Sequence, residues 1–307
     1  MFLLESNYAL STMNARKIFV NLKQRYPALL DPVQNIALSG IHKYTAVRNS
    51  PAESVLDNLA KCIVEDVCLN VPEFGGQFYM NPRSALFRRI ARDGYYEPEL
   101  TSLCAQHILP NTDVLDIGAN IGFHSVLFAS LVQQGQVLAV EPTSSALERL
   151  TRNLARNKAT DKVQVHHGAV SNTAGTVDIK VIPGREEFST LGEMSHQAVA
   201  GEEWQVEKVA CDTLDALVQR YGLAPKFIKV DVEGFEHQVF SSGAHTLSTH
   251  RPIILAELSN VMLQKNGSSA AKVIEMLQSA NYDISNANRP SEAPGTGDYG
   301  EIICLPR

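Results

Sequence analysis

Short apolar runs closed by turns alternate with stripes at helical spacing over most of the chain. Val114, Leu115 and Ile117 form a run of the kind a buried parallel strand needs. Gly118-Ala119-Asn120-Ile121-Gly122 breaks it, and Phe123, Val126, Leu127 and Leu131 then fall at helical spacing. A second run, Gln136 to Glu141, ends on a carboxylate, and a helix with Leu147, Leu150 and Leu154 inward is predicted over 144–157. Strands follow at 163–167, 227–231 and 252–257, with helices opening at Val232 and over 268–280, and closing strands at 282–284 and 301–304. Thr176–Ile182 and Trp204–Ala210 alternate with period two, which predicts a β-hairpin insertion carrying an unpatterned loop, 183–203.

The upstream pattern is different. Ser50-Pro51-Ala52-Glu53 is a helix start with a capping box, and Val55, Leu59, Ile63 and Val67 make an apolar stripe behind it. A small hairpin over 70–81 and short helices from Ser84 and after Pro98 come next. The expectation is therefore a helical N-terminal segment, 1–75, followed by one α/β domain, 76–307. The segment reads as a homodimer contact or plain packing on the main domain, or, functionally, as a lid over the active site.

Strand, glycine turn and helix make half of a nucleotide-binding βαβ unit, and glycines at 118 and 122 allow a ligand close to the backbone. Glu141 stands about 20 residues further on, where such folds place a carboxylate for ribose hydroxyls. A dinucleotide fingerprint is disfavoured, because Asn120 and Phe123 occupy its second and third glycine positions. His166 and His167 must face opposite ways on a strand and cannot both serve one site. Tyr95, Tyr96 and Glu97, just before the sheet, line the cofactor cleft or, for the tyrosines, join the core. Asp231 and Glu257 end adjacent strands at the ligand edge, so their oxygens could share Mg²⁺, with Asn260 as a third ligand. Glu233 and His237 share a face if their segment is helical.

Composition narrows the function classes. A net charge of −6 over 307 residues disfavours a large nucleic-acid footprint, and no apolar run is long enough to span a bilayer. The first residues lack the basic start and long apolar core of a signal peptide. Five cysteines without a C-x-x-C pair argue for reduced thiols in the cytoplasm rather than a disulfide frame or a zinc site.

The segments VLDIGANIGFHS (114–125), VLAVEP (137–142), GAVS (168–171), FIKVDVEGFEHQVFSSGA (227–244) and PIILAEL (252–258), with GYYEPEL (94–100) upstream, resemble the FkbM family of S-adenosylmethionine (SAM)-dependent methyltransferases. The resemblance covers roughly 75–265. It implies the class I methyltransferase fold, a doubly wound, Rossmann-like, mostly parallel seven-stranded sheet. It also implies methyl transfer, usually to a hydroxyl oxygen, on a small natural product, a sugar or a lipid. Gly118, Ala119, Asn120 and Gly122 would then approach the methionine part of SAM, and Asp116 would orient the turn or reach the amino group. Glu141 would take the ribose, and His167, Gly168 and Ala169 the adenine corner. Asp231 would serve the acceptor side, with Glu233 and His237 as further acids or bases. Phe188, Met194 and Trp204 could wall the acceptor pocket, although Trp204 reads equally as the hairpin's anchor on the core. N- or C-methylation and a non-catalytic SAM-fold binding protein stay open beside this reading.

Overall fold

The computed structural model describes residue 63 and residues 65–192, 201–289, 291–294 and 299–307. The helix expected from Ser50, and with it the lid or dimer reading, lies outside the described residues, as does Met194. The end of its stripe does not continue it: Val67 opens a strand. The chain divides into two compact units, residues 1–73 with 77–96, and residues 74–76 with 97–307.

In the first unit β1 (Val67–Val71) pairs with β2 (Gly76–Met80), the small hairpin expected over 70–81. Helix α1 (Ala85–Asp93) begins where Ser84 Oγ accepts the Phe87 N–H at 3.1 Å, and it ends at Gly94 in the left-handed region. Tyr95 is 52% exposed, so it is not a core residue, and the Arg89 guanidinium lies over the Tyr96 ring at 4.7 Å.

The second unit is built on β3 (Asp113–Ile117), β4 (Val137–Glu141), β5 (Val163–His167), β9 (Pro225–Val230), β10 (Ile253–Ser259), β11 (Tyr282–Asn286) and β12 (Tyr299–Pro306). These form one seven-stranded sheet in the order β11-β12-β10-β9-β3-β4-β5. β10, β9, β3, β4 and β5 run parallel, and β12 runs antiparallel to both its neighbours. The chain moves outward from β3 through β4 to β5, then returns to lay β9 on the other side of β3. That reversal opens a crevice at the carboxyl ends of β3 and β9, which is where open α/β sheets bind ligands.

Helices α2 (Pro98–His107), α3 (Phe123–Leu131), α4 (Ser144–Arg156), α5 (Leu214–Tyr221), α6 (Glu236–Ser241), α7 (Ala244–His250), α8 (Asn260–Lys265) and α9 (Ala270–Ser279) complete the unit. Strand periodicity sorts the sheet residues. Leu115, Ile117, Ile228, Val230 and Ile254 pack with Leu214, Leu217, Phe240, Val273 and Leu277 in one buried cluster. The alternate residues, Asp116 and Lys229, are paired in register on the opposite face. There Ser125 of α3 bonds Asp116, and Phe128 of α3 meets Phe227 with ring centroids 5.7 Å apart. A buried acid and a buried ammonium thus sit on an otherwise apolar face, one step from the crevice.

The insertion is a hairpin with one strand added. β7 (Gly175–Val181) and β8 (Gln205–Asp212) pair antiparallel, and the two-residue β6 (Ala169–Val170) joins β8 in parallel. Ile179, Val181, Val209 and Cys211 form its small core. Trp204 is not that core's anchor: it is 45% exposed, with the Lys180 ammonium 5.2 Å from its ring.

Gly118 has φ +82°, and a Cβ there would fall inside the van der Waals envelope of the Asp231 carbonyl oxygen. Gly222 is also left-handed, at φ +64°, but a Cβ there meets nothing within 4 Å. Gly222→Ala should therefore cost only backbone strain, about 1 kcal/mol. Gly118→Ala should cost at least about 2 kcal/mol more, because β9 must move. Denaturant unfolding of the two variants measures both; equal losses would remove the close approach as a constraint.

Candidate active site

The turn after β3 is fixed from three sides. Gly118 and Ala119 donate their N–H groups to the Val140 carbonyl, each at 3.0 Å, and the Asp231 N–H donates to the Ile117 carbonyl at 3.0 Å. Asn120 takes φ +49°, a conformation that Asn tolerates better than most residues, and its N–H donates to Glu141 Oε2 at 2.8 Å. Gly122, at φ +90°, lets α3 start against Leu150 of α4, where a Cβ would clash. Asp116 binds downward into the fold: Ser125 Oγ donates to its Oδ2 at 2.6 Å. Its other oxygen is buried and has no hydrogen-bond partner among the described residues. Burial raises the Asp116 carboxyl above its ordinary range, and nearby Lys229 opposes that rise.

Glu141 ends β4 in a nearly closed position, 5% exposed. Its Oε1 accepts from the Thr143 N–H at 2.9 Å and the Thr143 hydroxyl at 2.7 Å. Burial pushes its carboxyl up to about 7 despite these bonds and the Asn120 N–H. The two histidines part as strand geometry requires. His166 meets the Tyr221 hydroxyl at 3.0 Å, whereas His167 lies by the Pro142 carbonyl at 3.0 Å. Gly168 has His166 Nε2 and the Ala210 carbonyl where a Cβ would be, at 2.7 and 3.0 Å. The Ala169 side chain is buried in the insertion's core, so that methyl is not presented at this corner.

The segment after β9 differs from the helix expected to open at Val232. Residues 231–235 form a loop, with Glu233 at φ +52° and Gly234 at φ +95°, and α6 begins only at Glu236. Gly234 is required there because a Cβ would stand 2.7 Å from the Met262 backbone. Glu233 therefore lies outside the helix, and it does not share a helical face with His237. His237 lies beside Lys272 of α9, and burial together with that charge lowers its pKa.

The structure instead brings Asp231, Glu233 and Glu257 together, each with a carboxylate oxygen within 4.8 Å of the others. The Asn260 side chain, expected as a third ligand, accepts the Ala270 N–H at 3.1 Å and so caps the approach to α9. Burial, with Asp231, Glu236 and Glu187 close by, holds the Glu233 carboxyl well above its ordinary range. Glu187 belongs to a short 3-10 turn of the insertion, which is tied to α4 by an Arg149–Glu186 ion pair of 3.0 Å. Glu301 pairs in register with Glu257, and burial with Glu97 nearby pushes it up to about 7. Glu97 thus belongs to this acidic surround.

Two residues of the site escaped the sequence reading. Lys229 donates from Nζ to Asp231 Oδ2 at 3.0 Å, with its side chain 9% exposed. Glu236 is 1% exposed, and its Oε1 accepts the N–H groups of Val232 at 3.3 Å and Gly234 at 3.1 Å. It is the brace that holds the 231–235 loop in shape. The available signal was the glutamate two residues after a glycine at a helix start, the position from which a side chain reaches back to free N–H groups.

Burial pushes the Glu236 carboxyl from 4.5 up to about 7. The folded state then binds the extra proton between those pH values, so this group's contribution to stability is lost as pH rises through 7. Glu236→Gln keeps an acceptor oxygen and has no charge to bury. Its melting temperature relative to the unmodified protein should therefore be higher at pH 8 than at pH 5.5. A pH-independent difference would show that Glu236 titrates normally.

Residues 116–284 match the methyltransferase FkbM domain. Methyltransferase sdnD of Sordaria araneosa is 34% identical over 123 residues, 40% of this chain and 44% of that protein. Hexuronic acid methyltransferase AglP of Haloferax volcanii is 30% identical over 150 residues, 47% of this chain and 55% of that protein. The chain thus spans about half the length of these curated relatives. Among solved structures, methyltransferase FkbM from Methylobacillus flagellatus aligns over 64% of this chain and 44% of that one, at 16% identity and a TM-score of 0.41. The family match covers more than half of the chain, from the acidic end of β3 through β11, and the chain belongs to the FkbM family of SAM-dependent methyltransferases.

Proposed function

We propose that this chain transfers the methyl group of SAM to a hydroxyl oxygen of a small natural product, sugar or lipid in the cytoplasm. The observation that carries the proposal is the convergence of the Asp231, Glu233 and Glu257 carboxylates at the crevice where Gly118 abuts Asp231. The residues fit the cofactor. Glu141 Oε2 has lone pairs to spare beyond the Asn120 N–H, for ribose hydroxyls, and Asp116 Oδ1 is a buried acceptor without a partner among the described residues. Gly118, Ala119, Asn120 and Gly122 would hold the methionine part, and the backbone at Gly168 and Ala169 the adenine. When bound, SAM supplies an electrophilic methyl group on a sulfonium.

The chain's own residues must align the acceptor and take its proton. Asp231 accepts a hydrogen bond from the acceptor hydroxyl and so turns an oxygen lone pair toward the methyl. As the new carbon–oxygen bond completes, the hydroxyl proton becomes strongly acidic, so a carboxylate is a sufficient base. Glu233, with its raised proton affinity, can share that proton. The same carboxylates argue against an amine acceptor, because they would favour its protonated form, which has no lone pair to offer. A relative that is a hexuronic acid methyltransferase supports the sugar end of the acceptor range. Among the described residues Cys68, Cys104, Cys211 and Cys304 are free thiols, in keeping with a reducing compartment.

The test is incubation with methyl-labelled SAM and a panel of hydroxyl-bearing sugars, lipids and natural products, with products read by mass spectrometry. O-methyl products are expected; label found only on nitrogen or carbon would overturn the reading. Asp231→Asn should lower turnover by at least about 100-fold while S-adenosylhomocysteine affinity stays within about twofold. A fully active variant removes Asp231 from the mechanism. Glu141→Ala should weaken S-adenosylhomocysteine binding by about tenfold or more, the worth of a hydrogen bond to a charged group. Unchanged affinity would show that Glu141 does not hold the ribose.

A further inference from the structure

We infer that the ammonium of Lys229 is the built-in counter-ion of the acceptor-side carboxylates, holding Asp231 in place where a divalent metal would otherwise be needed. The inference rests on the acceptor-site reading above, but it concerns how the site is held rather than what it methylates.

Lys229 lies in the middle of the sheet, in register with Asp116 of β3 on one side and Leu255 of β10 on the other. A lysine so placed costs free energy unless its charge is met. It is met from several elements. Asp231, just past the end of its strand, accepts a hydrogen bond from it at 3.0 Å. The Asp116 and Glu257 carboxylates also act on its charge, and Lys229 acts in turn on Glu233 of the following loop and Glu301 of β12. The other titratable groups beside it are His124 of α3 and Cys104 of α2, both buried.

A divalent ion fits this cluster poorly. One of Asp231's two oxygens already accepts the ammonium, and Asn260, the expected neutral ligand, is engaged at the Ala270 N–H. A second cation among Asp231, Glu233 and Glu257 would stand close to the positive charge of Lys229, whose own side chain is only 9% exposed. An ammonium that takes Oδ2 leaves Oδ1 for the acceptor. Lys229 is on this account a positioning residue that acts through Asp231.

The test is titration of the full chain with Mn²⁺, followed by calorimetry, without cofactor or acceptor. Its failure would therefore leave the methyl-transfer proposal standing. The unmodified protein should show no saturable Mn²⁺ site below about 1 mM, the range in which weak carboxylate sites bind hard cations. Lys229→Met should gain Mn²⁺ affinity by at least about tenfold, and adding Asp231→Asn should abolish the gain. Lys229→Arg, which keeps the charge, should stay silent. Saturable submillimolar binding by the unmodified protein that Asp231→Asn removes would overturn the inference, whether or not Lys229→Met folds. A folded Lys229→Met protein with no gain would overturn it as well.

Discussion

The site depends on the approach of two backbones, the turn after β3 and the end of β9. The Asp231 carbonyl occupies the space a side chain at residue 118 would fill, and the Asp231 N–H bonds the Ile117 carbonyl. Only glycine fits there, in the left-handed conformation it adopts. This one contact sets the proposed cofactor turn beside the proposed acceptor loop. It is possible because β9 returns to the side of β3 away from β4, which makes the reversal of strand order and the glycine two parts of one constraint.

Charge is the second constraint. Asp116, Glu141, Glu236 and Glu301 are buried, and burial raises all four above the ordinary carboxylate range. Each has a partner that can be named, and for Glu301 it is the Asn288 side-chain amide. Asp116 takes the Ser125 hydroxyl and ties α3 to β3, and Glu141 takes Thr143 and the Asn120 N–H. Glu236 braces the 231–235 loop. Lys229 supplies positive charge beside Asp116, Asp231 and Glu301. The proposed acceptor side is in this sense pre-organised: its loop is shaped by hydrogen bonds of the protein's own.

Much of the fold was legible in the sequence because local patterns dictate it. The strand, glycine turn and helix from Val114, the carboxylate at Glu141 and the alternation through 176–182 each follow from periodicity and turn chemistry in a short window. The features that were not legible depend on partners far away in sequence. Val232 to Phe235 has the residues of a helix start, yet Gly234 packs against Met262 and forces a loop, which displaces Glu233 from the face of His237. Lys229 looks like an ordinary polar position of a strand until the register sets it opposite Asp116 and beside Asp231. Asn260 has the type and place of a possible third ligand, whereas the fold uses its side chain on the Ala270 N–H. Trp204 reads as the hairpin's anchor or a pocket wall, yet it stands just ahead of β8 and is 45% exposed.

The central claim is that the turn from Gly118 to Gly122, with Glu141, binds the nucleoside of SAM and not a dinucleotide. The measurement that tests it most directly is calorimetric titration of the full chain with S-adenosylhomocysteine and, in parallel, with NAD, each with and without Mg²⁺. The account predicts micromolar binding of S-adenosylhomocysteine alone, unchanged by Mg²⁺. Binding of NAD in its place, or of neither, would contradict it.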